Sequence, residues 1–557
     1  MRKIITAAEM REIDRLTTER FGLPSLLLME SAAGAAARAV AGYFSEGISG
    51  KTALILCGRG NNGGDGAALA RILWTMGAKA DIVLFGRVEN SAGDARTNFE
   101  IVRHLASFEA GSGERPSGVS FVECETVAAW EEIASRRRGY DLLVDALLGT
   151  GLTRPVEGVF RKVIDHLALV REARRHAGET RPLIVSLDLP SGLDADSATP
   201  PGEAVRADLT VTFTAPKPAN VLPPASHFNG RLLTSDIGSP PSLLEATPSK
   251  LFLAEPADAR IWLERTRYAP ASYKNTHGHV LVVAGSRQYT GAPALCANAA
   301  ARSGAGLVTV ATPVSAHAAV TAHLLPEVIA AALPETGQGA VGDESLAALA
   351  PLVERATVVA VGPGLTANAE ETRRFVRELV ERRTTPIVID ADALNSLAPW
   401  PADLRGSREL PLVLTPHEGE MRRLLGTKDR DAVSDRVHAA GEFASANEVV
   451  LVLKGARVLV AAPDGRVFVN PTGNAGLGRG GSGDTLTGVV AGFLAQSYAT
   501  LKDRADAFEA TVAAVYVAGL AGDIAAREGG MRTLLASDVR DCLGEAIRSL
   551  DAEGETP

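Results

Sequence analysis

The chain has 557 residues, and at about 100–200 residues per domain it is expected to fold into more than one domain. Hydrophobic residues make up 46% and charged residues 22%, which is ordinary for a globular protein and excludes a disordered or collagen-like chain. Asp and Glu number 66 against 57 Lys and Arg, for a formal net charge of −9, and aromatic residues make up only 5%. This balance argues against a protein that binds nucleic acid or an anionic membrane surface.

The cysteines predict a reducing compartment. Cys57, Cys124, Cys296 and Cys542 are widely spaced without a CxxC pair, so we expect neither a disulfide framework nor a structural zinc site. The first residues carry charges every few positions, unlike a secretory signal. The uncharged stretch 303–326 contains two His and two Pro, and we interpret it as buried core. The expected location is cytoplasmic, without a membrane partner.

The first half alternates strand-like runs with segments of helical periodicity, such as 66–76 and 156–169. The runs are apolar on both faces, as strands buried between layers of helices are. This alternation predicts an α/β fold with a mostly parallel, Rossmann-like sheet between two helix layers. The predicted strands are Thr52–Cys57, Ala80–Phe85, Asp141–Ala146, Leu183–Asp188 and Asp208–Phe213.

The pattern loosens at residues 239–256, which contain four prolines and no consistent period, and we place a linker at 239–253. A second β-α series follows, with a helix expected to begin near Asp484. The two halves differ in motif order, so we predict two different α/β domains rather than a repeat. The predicted strands are His279–Gly285, Gly306–Thr312, Val358–Gly364, Ile387–Asp392, Leu412–Pro416, Val449–Gly455 and Arg457–Ala462.

A glycine-rich segment, GRGNNGGDG at 58–66, follows the first predicted strand and opens a helix. It contains G-x-G-x-x-G, whose glycines let backbone N–H groups approach a phosphate at a helix N-terminus. A tight turn without a ligand is the alternative. An ordinary dehydrogenase would place an acidic residue at the end of the next strand, where this chain has Arg87 and only later Glu89.

Two further strand ends carry polar residues. Asp145 leads into the loop GTGLTRP at 149–155, and Asp188 leads into LPSGL. Ligands of open α/β sheets lie outside the carboxyl ends of the strands, so these residues should share one edge with Asn62, Asp65 and Ser191. Such oxygen donors suit an alkali or alkaline-earth cation beside phosphates, although each Asp alone could cap a helix.

The motifs NNGGDG, DALLGTGL and DLPSG, after TAAEMREID and LLLMESAAG, closely resemble the NAD(P)H-hydrate epimerase domain, here residues 1–238. The resemblance implies a potassium ion on Asn62, Asp145 and Ser191, with Asp188 near the reacting carbon. A positioned carboxylate can move a proton on or off the C6 hydroxyl, and we assign Asp188 this role as a hypothesis. The implied substrate contacts, besides Asp188, are Asn61, Asn62, Gly63, Gly64, Asp65, Gly149, Thr150, Gly151, Leu152, Thr153, Arg154 and Pro155.

The second half carries NAGLGRGGSGD at 474–484. Gly480, Gly481 and Gly483 can present N–H groups that stabilise a transferring phosphoryl group, and Asp484 can take the proton of an attacking hydroxyl. A glycine-rich turn with an Asp cap is the alternative. The arrangement resembles the ribokinase-like kinases.

The full series KNTHGHVLVVAGS, YTGAP, RSGAGLVTVA, GPGL, DADALN, TPHEGE, KGA and NAGLGRGGSGD resembles the ADP-dependent NAD(P)H-hydrate dehydratase over residues 254–550. Leu477-Gly478 departs from the Met-Ala expected in that family. His417 alone would fit a structural role; among these loops it is a substrate contact. The resemblance implies substrate contacts at Ala292, Gly364, His417 and Asp484, and nucleotide contacts at Lys454, Gly455, Ala456, Arg457, Val458 and Gly483.

Together the two resemblances imply repair of hydrated nicotinamide dinucleotides. The first domain would interconvert the R and S forms at C6, and the second would dehydrate the 6S form with ADP, releasing AMP and phosphate. Potassium would serve the first domain and Mg²⁺ the second, where Glu418 and Glu420 are candidate supports. The partners would be NADHX, NADPHX and ADP, with the chain acting as a homo-oligomer and its tail at 551–557 disordered.

Two rival interpretations remain. A kinase for a hydroxymethyl heterocycle of the vitamin type shares the glycine–Asp motif but does not explain YTGAP, TPHEGE or the first domain. A regulatory protein whose first domain only binds nucleotide would not need Asp188 or the set Asn62, Asp145 and Ser191.

Overall fold

The computed structural model describes residues 1–111, 118–136, 139–173, 182–367 and 369–552. These residues divide into two compact units, one of Lys3–Ser249 and one of Met1, Arg2 and the chain from Lys250 onward. The predicted linker 239–253 contains a helix at Pro241–Glu245 and a strand at Leu251–Leu253. Of the predicted tail, Asp551 and Ala552 end the last helix, and residues 553–557 lie outside the described residues.

The N-terminal unit, Lys3–Ser249, is built on a seven-stranded sheet. The chain opens with strand β1 (Arg2–Lys3). The sheet strands are β2 (Thr52–Cys57), β3 (Lys79–Leu84), β4 (Val119–Glu123), β5 (Leu142–Ala146), β6 (Leu183–Leu187), β7 (Leu209–Phe213) and β8 (Arg231–Ser235). The helices are α1 (Ala7–Phe21), α2 (Ser25–Ala41), α3 (Asn61–Thr75), α4 (Gly93–Gly111), α5 (Val127–Arg136), α6 (Gly158–Ala173), α7 (Pro218–Val221) and α8 (Pro241–Glu245).

The strand order of this sheet is β4-β3-β2-β5-β6-β7-β8, and all its pairs are parallel. The chain leaves β2 toward one edge and returns at β5 toward the other, so the order reverses between β2 and β5. Ligands of open parallel sheets bind outside the carboxyl ends of the strands at such a reversal. The loops after β2, β5 and β6 therefore meet at this place, and the backbone N–H of Gly58 donates to the Ala146 carbonyl at 2.9 Å.

Both faces of the sheet are buried, because successive side chains of a strand point to opposite faces. Leu54 and Leu56 of β2 lie in the core on one face with Leu143 of β5, whereas Ile55 lies in the core on the other face with Val144. The predicted parallel α/β architecture with strands apolar on both faces is confirmed.

The C-terminal unit has a longer sheet in the order β1-β9-β18-β17-β16-β15-β14-β13-β10-β11-β12. Its strands are β9 (Leu251–Leu253), β10 (His279–Val283), β11 (Leu307–Pro313), β12 (Ile329–Leu333), β13 (Val358–Val361), β14 (Ile387–Ile389), β15 (Leu412–Leu414), β16 (Val450–Leu453), β17 (Leu459–Ala461) and β18 (Val467–Val469). The strands from β10 to β16 pair in parallel, and β17 pairs antiparallel with both neighbours. This unit is therefore also of the α/β class.

The helices of the C-terminal unit are α9 (Pro256–Arg265), α10 (Gly291–Arg302), α11 (Val314–Thr321), α12 (Asp343–Val353), α13 (Glu370–Glu381), α14 (Ala391–Ser396), α15 (Glu418–Leu424), α16 (Arg436–Asn447), α17 (Ser482–Leu501), α18 (Ala507–Gly529) and α19 (Ala536–Ala552). Among the described residues, α18 alone is long and apolar enough to cross a membrane, and 83% of its apolar window is buried inside the protein. It packs in the core of this unit with α17 and α19. The stretch 303–326 forms β11 and α11, as core elements rather than a span.

Every predicted strand corresponds to an observed one, with ends that differ by a few residues. The strands that the pattern missed are β1, β4, β8, β9, β12 and β18. The first five are only partly buried, and β18 is buried but only three residues long. Helix α3 begins at Asn61 rather than near residue 66. Glycines have low helix propensity, which hides this first turn in the sequence.

The fit between α17 and α10 gives the first prediction. A Cβ at Gly488 of α17 would lie 2.0 Å from the carbonyl oxygen of Cys296, so the helices approach too closely for a side chain there. We expect Gly488→Ala to destabilise the protein by about 1–3 kcal/mol, measured as a lower melting temperature. The control is Gly529→Ala, whose Cβ meets nothing within 4 Å; equal melting temperatures for the two variants would contradict this account of the packing.

Candidate functional site

The glycine-rich segment after β2 forms the first turn of α3, with Gly60 as its N-cap. Its glycines allow close packing. A Cβ at Gly63 would lie 1.8 Å from the Gly58 carbonyl oxygen, and one at Gly64 would lie 2.7 Å from the Cα of Ala95. The N-terminus of α3 therefore packs closely against the carboxyl end of β2, with Asn61 exposed to solvent and Asn62 buried.

Asn62, Asp145 and Ser191 converge around the backbone of Leu148. The Asn62 amide donates through Nδ2 to the Leu148 carbonyl at 3.0 Å, and the Leu148 N–H donates to Ser191 Oγ at 2.9 Å. The Ser191 N–H donates to Asp145 Oδ2 at 2.9 Å. The structure thus brings together the three side chains that the sequence grouped as cation ligands.

Two features of this cluster suit a cation. Asn62 Oδ1 is buried and has no hydrogen-bond partner in the part of the chain that the structure describes. Burial raises the pKa of Asp145, although hydrogen bonds from Ser191 and Ser186 partly offset this. Burying an amide oxygen without a hydrogen-bond partner costs free energy, and so does burying a carboxylate. A monovalent cation between them would satisfy both groups.

Asp188, which follows β6, has a left-handed backbone with φ of 60°. Its carboxylate forms an ion pair with the fully buried Lys217 and also accepts from Thr212 Oγ1 at 2.9 Å and from the Phe213 N–H at 3.2 Å. These described hydrogen bonds all go to Oδ1, which leaves Oδ2 as the oxygen able to meet a ligand. Lys217 therefore holds Asp188 in a defined orientation.

Two more carboxyl groups share the electrostatic environment of this ion pair. Burial raises the pKa of Asp14 to about 6, with Lys217 opposing and Asp188 adding to the rise. Burial also raises the pKa of Asp65 well above its usual range, and the charges of Asp188 and Asp14 raise it further. Asp14 Oδ1 is buried without a hydrogen-bond partner among the described residues. The pKa values of Asp14 and Asp65 are therefore both raised near the ion pair of Asp188 and Lys217.

The loop 149–155 lies between β5 and α6 and is largely exposed. A Cβ at Gly149 would lie 3.4 Å from the Asn62 Cβ, so this loop runs close to the start of α3. The residues from Gly151 to Pro155 are exposed or half-buried, which leaves them free to contact a ligand. The predicted substrate loop therefore lies next to the predicted cation ligands.

In the C-terminal unit, α17 begins at Ser482, two residues before the predicted start. Gly481 has a φ of 90°, which favours glycine, and a Cβ at Gly480 would meet nothing within 4 Å. A Cβ at Gly483 would lie 3.2 Å from Lys454 Nζ. The glycines thus leave open the N-terminus of α17, where Asp484 lies in the first turn.

Lys454 connects the end of β16 to this helix. Its ammonium group donates to Asp390 Oδ1 at 2.8 Å and lies 3.8 Å from Glu420 Oε2. Thr487 of α17 donates to the other oxygen of Asp390 at 2.8 Å. Burial raises the pKa of Asp390, but Lys454 and the hydroxyls of Thr415 and Thr487 more than offset this and lower it overall. Asp390 is therefore a carboxylate that holds the Lys454 ammonium beside Gly483.

Asp484 has a different environment. Burial raises its pKa to about 7, and the negative charges of Asp390, Asp392 and Glu420 add to the rise while Lys454 opposes it. A carboxyl group with a pKa near 7 is suited to exchange protons at neutral pH. The electrostatics therefore distinguish Asp484 from Asp390.

His417 is the N-cap of α15, and its side chain is 55% exposed. Its Nδ1 accepts from the Gly419 N–H at 2.9 Å, so Nδ1 carries no proton and Nε2 carries the hydrogen. Burial, Lys454 and Arg423 lower its pKa, which keeps the imidazole neutral. His417 can therefore donate a hydrogen bond from Nε2 to a ligand.

The two remaining residues predicted to contact substrate, Ala292 and Gly364, lie side by side. A Cβ at Gly364, which has a φ of 70°, would lie 3.4 Å from the Cβ of Ala292 and 2.9 Å from that of Tyr289. Ala292 lies at the start of α10, and the Tyr289 side chain is 54% exposed. The loop after β10 and the loop after β13 thus form one wall of the site.

The segment Lys454–Val458 forms the turn between β16 and β17. Arg457 has a left-handed backbone with φ of 55°, and its guanidinium donates to the Pro471 carbonyl. The Val458 carbonyl accepts from the Asn470 N–H at 2.9 Å, and Gly455 and Ala456 form the turn itself. Five of the six residues predicted to contact nucleotide are therefore held in one ordered turn, and the sixth, Gly483, lies next to Lys454.

Several residues of both sites carried no predicted role, or a different one. Lys217 lies four residues after the end of β7, and attention to the polar residues that follow strands could have found it. Asp390 lies in a quoted strand-end motif whose chemistry the sequence did not assign, and Glu420 was predicted only as a support for Mg²⁺. Asp14 lies on α1, where the amphipathic pattern carried no signal for a role in the site.

Known proteins resemble this chain over nearly its whole length. A family model described as NAD(P)H-hydrate dehydratase matches residues 280–544, and one described as the YjeF-related protein N-terminus matches residues 25–219. The bifunctional NAD(P)H-hydrate repair enzyme of Moorella thermoacetica is 39% identical over 553 residues, covering 99% of this chain and 98% of that protein. The enzyme of the same description from Escherichia coli is 33% identical over 494 residues, covering 89% and 84%.

Among solved structures, the ADP/ATP-dependent NAD(P)H-hydrate dehydratase of Bacillus subtilis, co-crystallised with ATP and Mg²⁺, is 30% identical with a TM-score of 0.45. The match covers 54% of this chain and 98% of the Bacillus subtilis chain. Because relatives that join both parts match this chain at more than 30% identity over most of their length, the chain belongs to the family of bifunctional NAD(P)H-hydrate repair enzymes.

Proposed function

We propose that this chain repairs hydrated nicotinamide dinucleotides in two steps, each carried out by one unit. Residues 1–238 would epimerise NADHX and NADPHX at C6, and residues 254–550 would dehydrate the 6S form with ADP to NADH or NADPH, AMP and phosphate. The observation that supports this best concerns the open, glycine-rich start of α17. There, Asp484 has a pKa of about 7 and lies within the electrostatic influence of the Lys454–Asp390 ion pair. A dehydratase that accepts one epimer gains from an epimerase that supplies it.

In the epimerase unit, we propose Asp188 as the group that moves the C6 hydroxyl proton. Lys217, Thr212 and the Phe213 N–H fix its carboxylate through Oδ1, so that Oδ2 can accept a proton from the hydrate. Asn61 to Asp65 and the loop 149–155 would hold the dinucleotide at the switch between β2 and β5.

We propose that potassium binds to Asn62, Asp145 and Ser191. The support is the unpartnered Asn62 Oδ1 beside the buried carboxyl of Asp145. A cation there would supply positive charge beside the dinucleotide phosphates. Asn62 and Ser191 bind the Leu148 backbone directly, and Asp145 holds Ser191 through its backbone N–H, so the three residues fix the start of the loop 149–155.

In the dehydratase unit, we propose that Asp484 takes the proton of the C6 hydroxyl while the oxygen of that hydroxyl attacks the β-phosphorus of ADP. A C6–O–P bond forms, the bridging P–O bond breaks and AMP leaves. The ring nitrogen lone pair then expels phosphate, and loss of a C5 proton restores the dihydropyridine. The N–H groups at Gly480, Gly481 and Gly483 and the Lys454 ammonium stabilise the charge on the transferring group.

The remaining residues of this unit position the reactants. Neutral His417 would donate from Nε2 to the hydrate, and Ala292 and Gly364 would form the wall beside it. The turn Lys454–Val458 would hold the nucleotide, with Gly483 leaving room for Lys454 and a phosphate. Among the residues that the structure describes, no group of three His, Cys, Asp or Glu side chains is arranged to hold a metal ion.

We propose that Mg²⁺ binds mainly to the nucleotide phosphates, where it would neutralise their charge. This suits a cation that keeps several waters and few protein ligands. Glu420 fits less well as a ligand than the sequence suggested, because it accepts from the His417 N–H at 2.8 Å and faces Lys454. Glu418 is engaged by Arg436.

We also propose that the protein works in the cytoplasm as a homo-oligomer. The four cysteines are buried and free of disulfides, which suits a reducing compartment. Chemical cross-linking and light scattering of the purified protein would test the oligomer, and a monomer at micromolar concentration would contradict it.

Asp188→Asn tests the epimerase assignment. The amide cannot accept the hydroxyl proton, so we expect the epimerisation rate to fall by about 10²–10⁴-fold while the hydrate still binds. Asp165→Asn is the control, since Asp165 lies on the surface of α6 and pairs only with Arg161 among its described ion pairs. An unchanged rate in Asp188→Asn would refute a catalytic role for this residue.

Asp484 predicts the pH dependence of dehydration. The reaction requires its carboxylate, and with a pKa of about 7 this form is lost as the pH falls below 7, so kcat/KM should rise with pH and level off above that value. Asp484→Asn should lower the rate by about 10²–10⁴-fold, with the exposed Asp541→Asn as control. A flat profile between about pH 5.5 and 8, a range that spans this pKa, would exclude Asp484 as the base.

The potassium proposal is tested by exchanging the cation. Replacing K⁺ with Li⁺ at equal ionic strength should slow epimerisation by about tenfold, because the small ion cannot reach all three ligands, and should leave dehydration of the purified 6S form unchanged. Asn62→Ala should remove most of this difference. Equal epimerisation rates in both salts would rule out a potassium site at these residues.

A further inference from the structure

Arg436, the first residue of α16, is bound to the nucleotide turn by several hydrogen bonds. Its Nη1 donates to the carbonyl of Ala456 at 2.7 Å and to that of Arg457 at 3.4 Å. Its Nη2 donates to the carbonyls of Leu453 and Lys454 at 3.3 and 3.2 Å. One guanidinium group thus spans the whole turn from the end of β16 to Arg457.

The turn is shaped to receive this guanidinium group. Gly455 has a φ of 146°, and a Cβ at this position would lie 2.6 Å from Nη2 of Arg436. Any side chain there would displace the guanidinium. Glycine at 455 therefore meets two needs, an unusual backbone conformation and room for Arg436.

Arg436 also reaches the substrate side of the site. Its Nε lies 3.3 Å from Oε1 of Glu418, the residue after His417. The Lys454 N–H donates to the Pro416 carbonyl at 2.8 Å, and His417 lies beside Lys454 as a parallel bridge partner. The segment that carries His417 and the turn that carries Lys454 are therefore joined twice, once by the backbone and once through Arg436.

We propose that Arg436 is a positioning residue that holds the turn Lys454–Val458 in its nucleotide-binding form and, through Glu418, links that turn to His417. The guanidinium is planar, always charged and rich in donors, so it can satisfy several carbonyls that a lysine cannot. Because the turn carries Lys454, its displacement moves an ammonium group that faces Gly483 and Asp484. The proposal rests on the assignment of this unit as the ADP-dependent dehydratase.

Arg383 provides a matched control within the same unit. Its guanidinium also donates only to backbone carbonyls in the described contacts, those of Val380, Leu410 and Arg405, and none of these belongs to the nucleotide turn or to the His417 segment. Loss of either arginine removes several hydrogen bonds to backbone carbonyls. Only loss of Arg436 should change the binding of nucleotide.

The experiment compares Arg436→Gln, Arg436→Lys and Arg383→Gln in the full-length chain. ADP with Mg²⁺ is titrated by calorimetry, and kcat and KM for dehydration are measured at varied ADP and varied hydrate. We expect Arg436→Gln to raise the Kd and KM for ADP by about tenfold or more and Arg436→Lys by a similar factor, with Arg383→Gln within about twofold of the wild type. Glu418→Gln should raise the KM for the hydrate more than the Kd for ADP.

The melting temperature and the kcat for dehydration at saturating ADP show whether the C-terminal unit of each variant, which contains Arg436 and Arg383, is folded. ADP binding in Arg436→Gln or Arg436→Lys that equals that of Arg383→Gln would overturn the proposal. Loss of dehydration with unchanged ADP binding in both Arg436 variants would also overturn it. A wild-type chain that shows no ADP-dependent dehydration would instead refute the proposed function, which keeps the two failures distinct.

Discussion

In both units, a lysine ammonium group lies among carboxyl groups at the carboxyl edge of the sheet. Lys217 pairs with Asp188 beside Asp14 and Asp65, and Lys454 pairs with Asp390 beside Glu420 and Asp484. A buried charge is tolerated only when it is paired, and removing one partner of such a pair typically costs about 3–5 kcal/mol.

One ammonium cannot compensate several carboxylates, and this shortage divides the acidic residues by role. Asp390 accepts hydrogen bonds from the Lys454 ammonium and the Thr487 hydroxyl, and these contacts lower its pKa. The charge of Asp484 is less well compensated by the Lys454 ammonium, and burial raises its pKa to about 7. In the N-terminal unit, burial raises the pKa values of Asp14 and Asp65 while Asp188 holds the lysine. Groups pushed apart in pKa within one site are suited to act as acid and base.

Much of the fold could be predicted because its signals are local. Buried parallel strands are continuous apolar runs, and residues at their carboxyl ends meet at one edge, which brought Asn62, Asp145 and Ser191 together correctly. The site motifs GRGNNGGDG and GRGGSGD are contiguous, so spacing alone located them. The edge strand β4 was missed because polar residues interrupt its apolar run, and β12 was missed because it is mostly alanine, which is depleted in strands.

The residues that the sequence did not reveal act across long separations. Asp14 lies far along the chain from Asp188 and Lys217, and it meets them only after α1 packs against the loops that follow β6 and β7. Arg436 lies at the start of an ordinary helix, and its contacts with the turn after β16 depend on how α16 packs. Such contacts follow from tertiary packing, which no periodicity records.

The central claim is that one chain carries both repair steps, and it is tested most directly with a mixture of the R and S forms of NADHX. The wild-type chain is supplied with ADP, Mg²⁺ and K⁺, and the absorbance of reduced nicotinamide is followed. The account predicts near-complete conversion, faster than the two forms interconvert spontaneously. Conversion that stops at the fraction of one epimer, or none with either ADP or ATP, would contradict it.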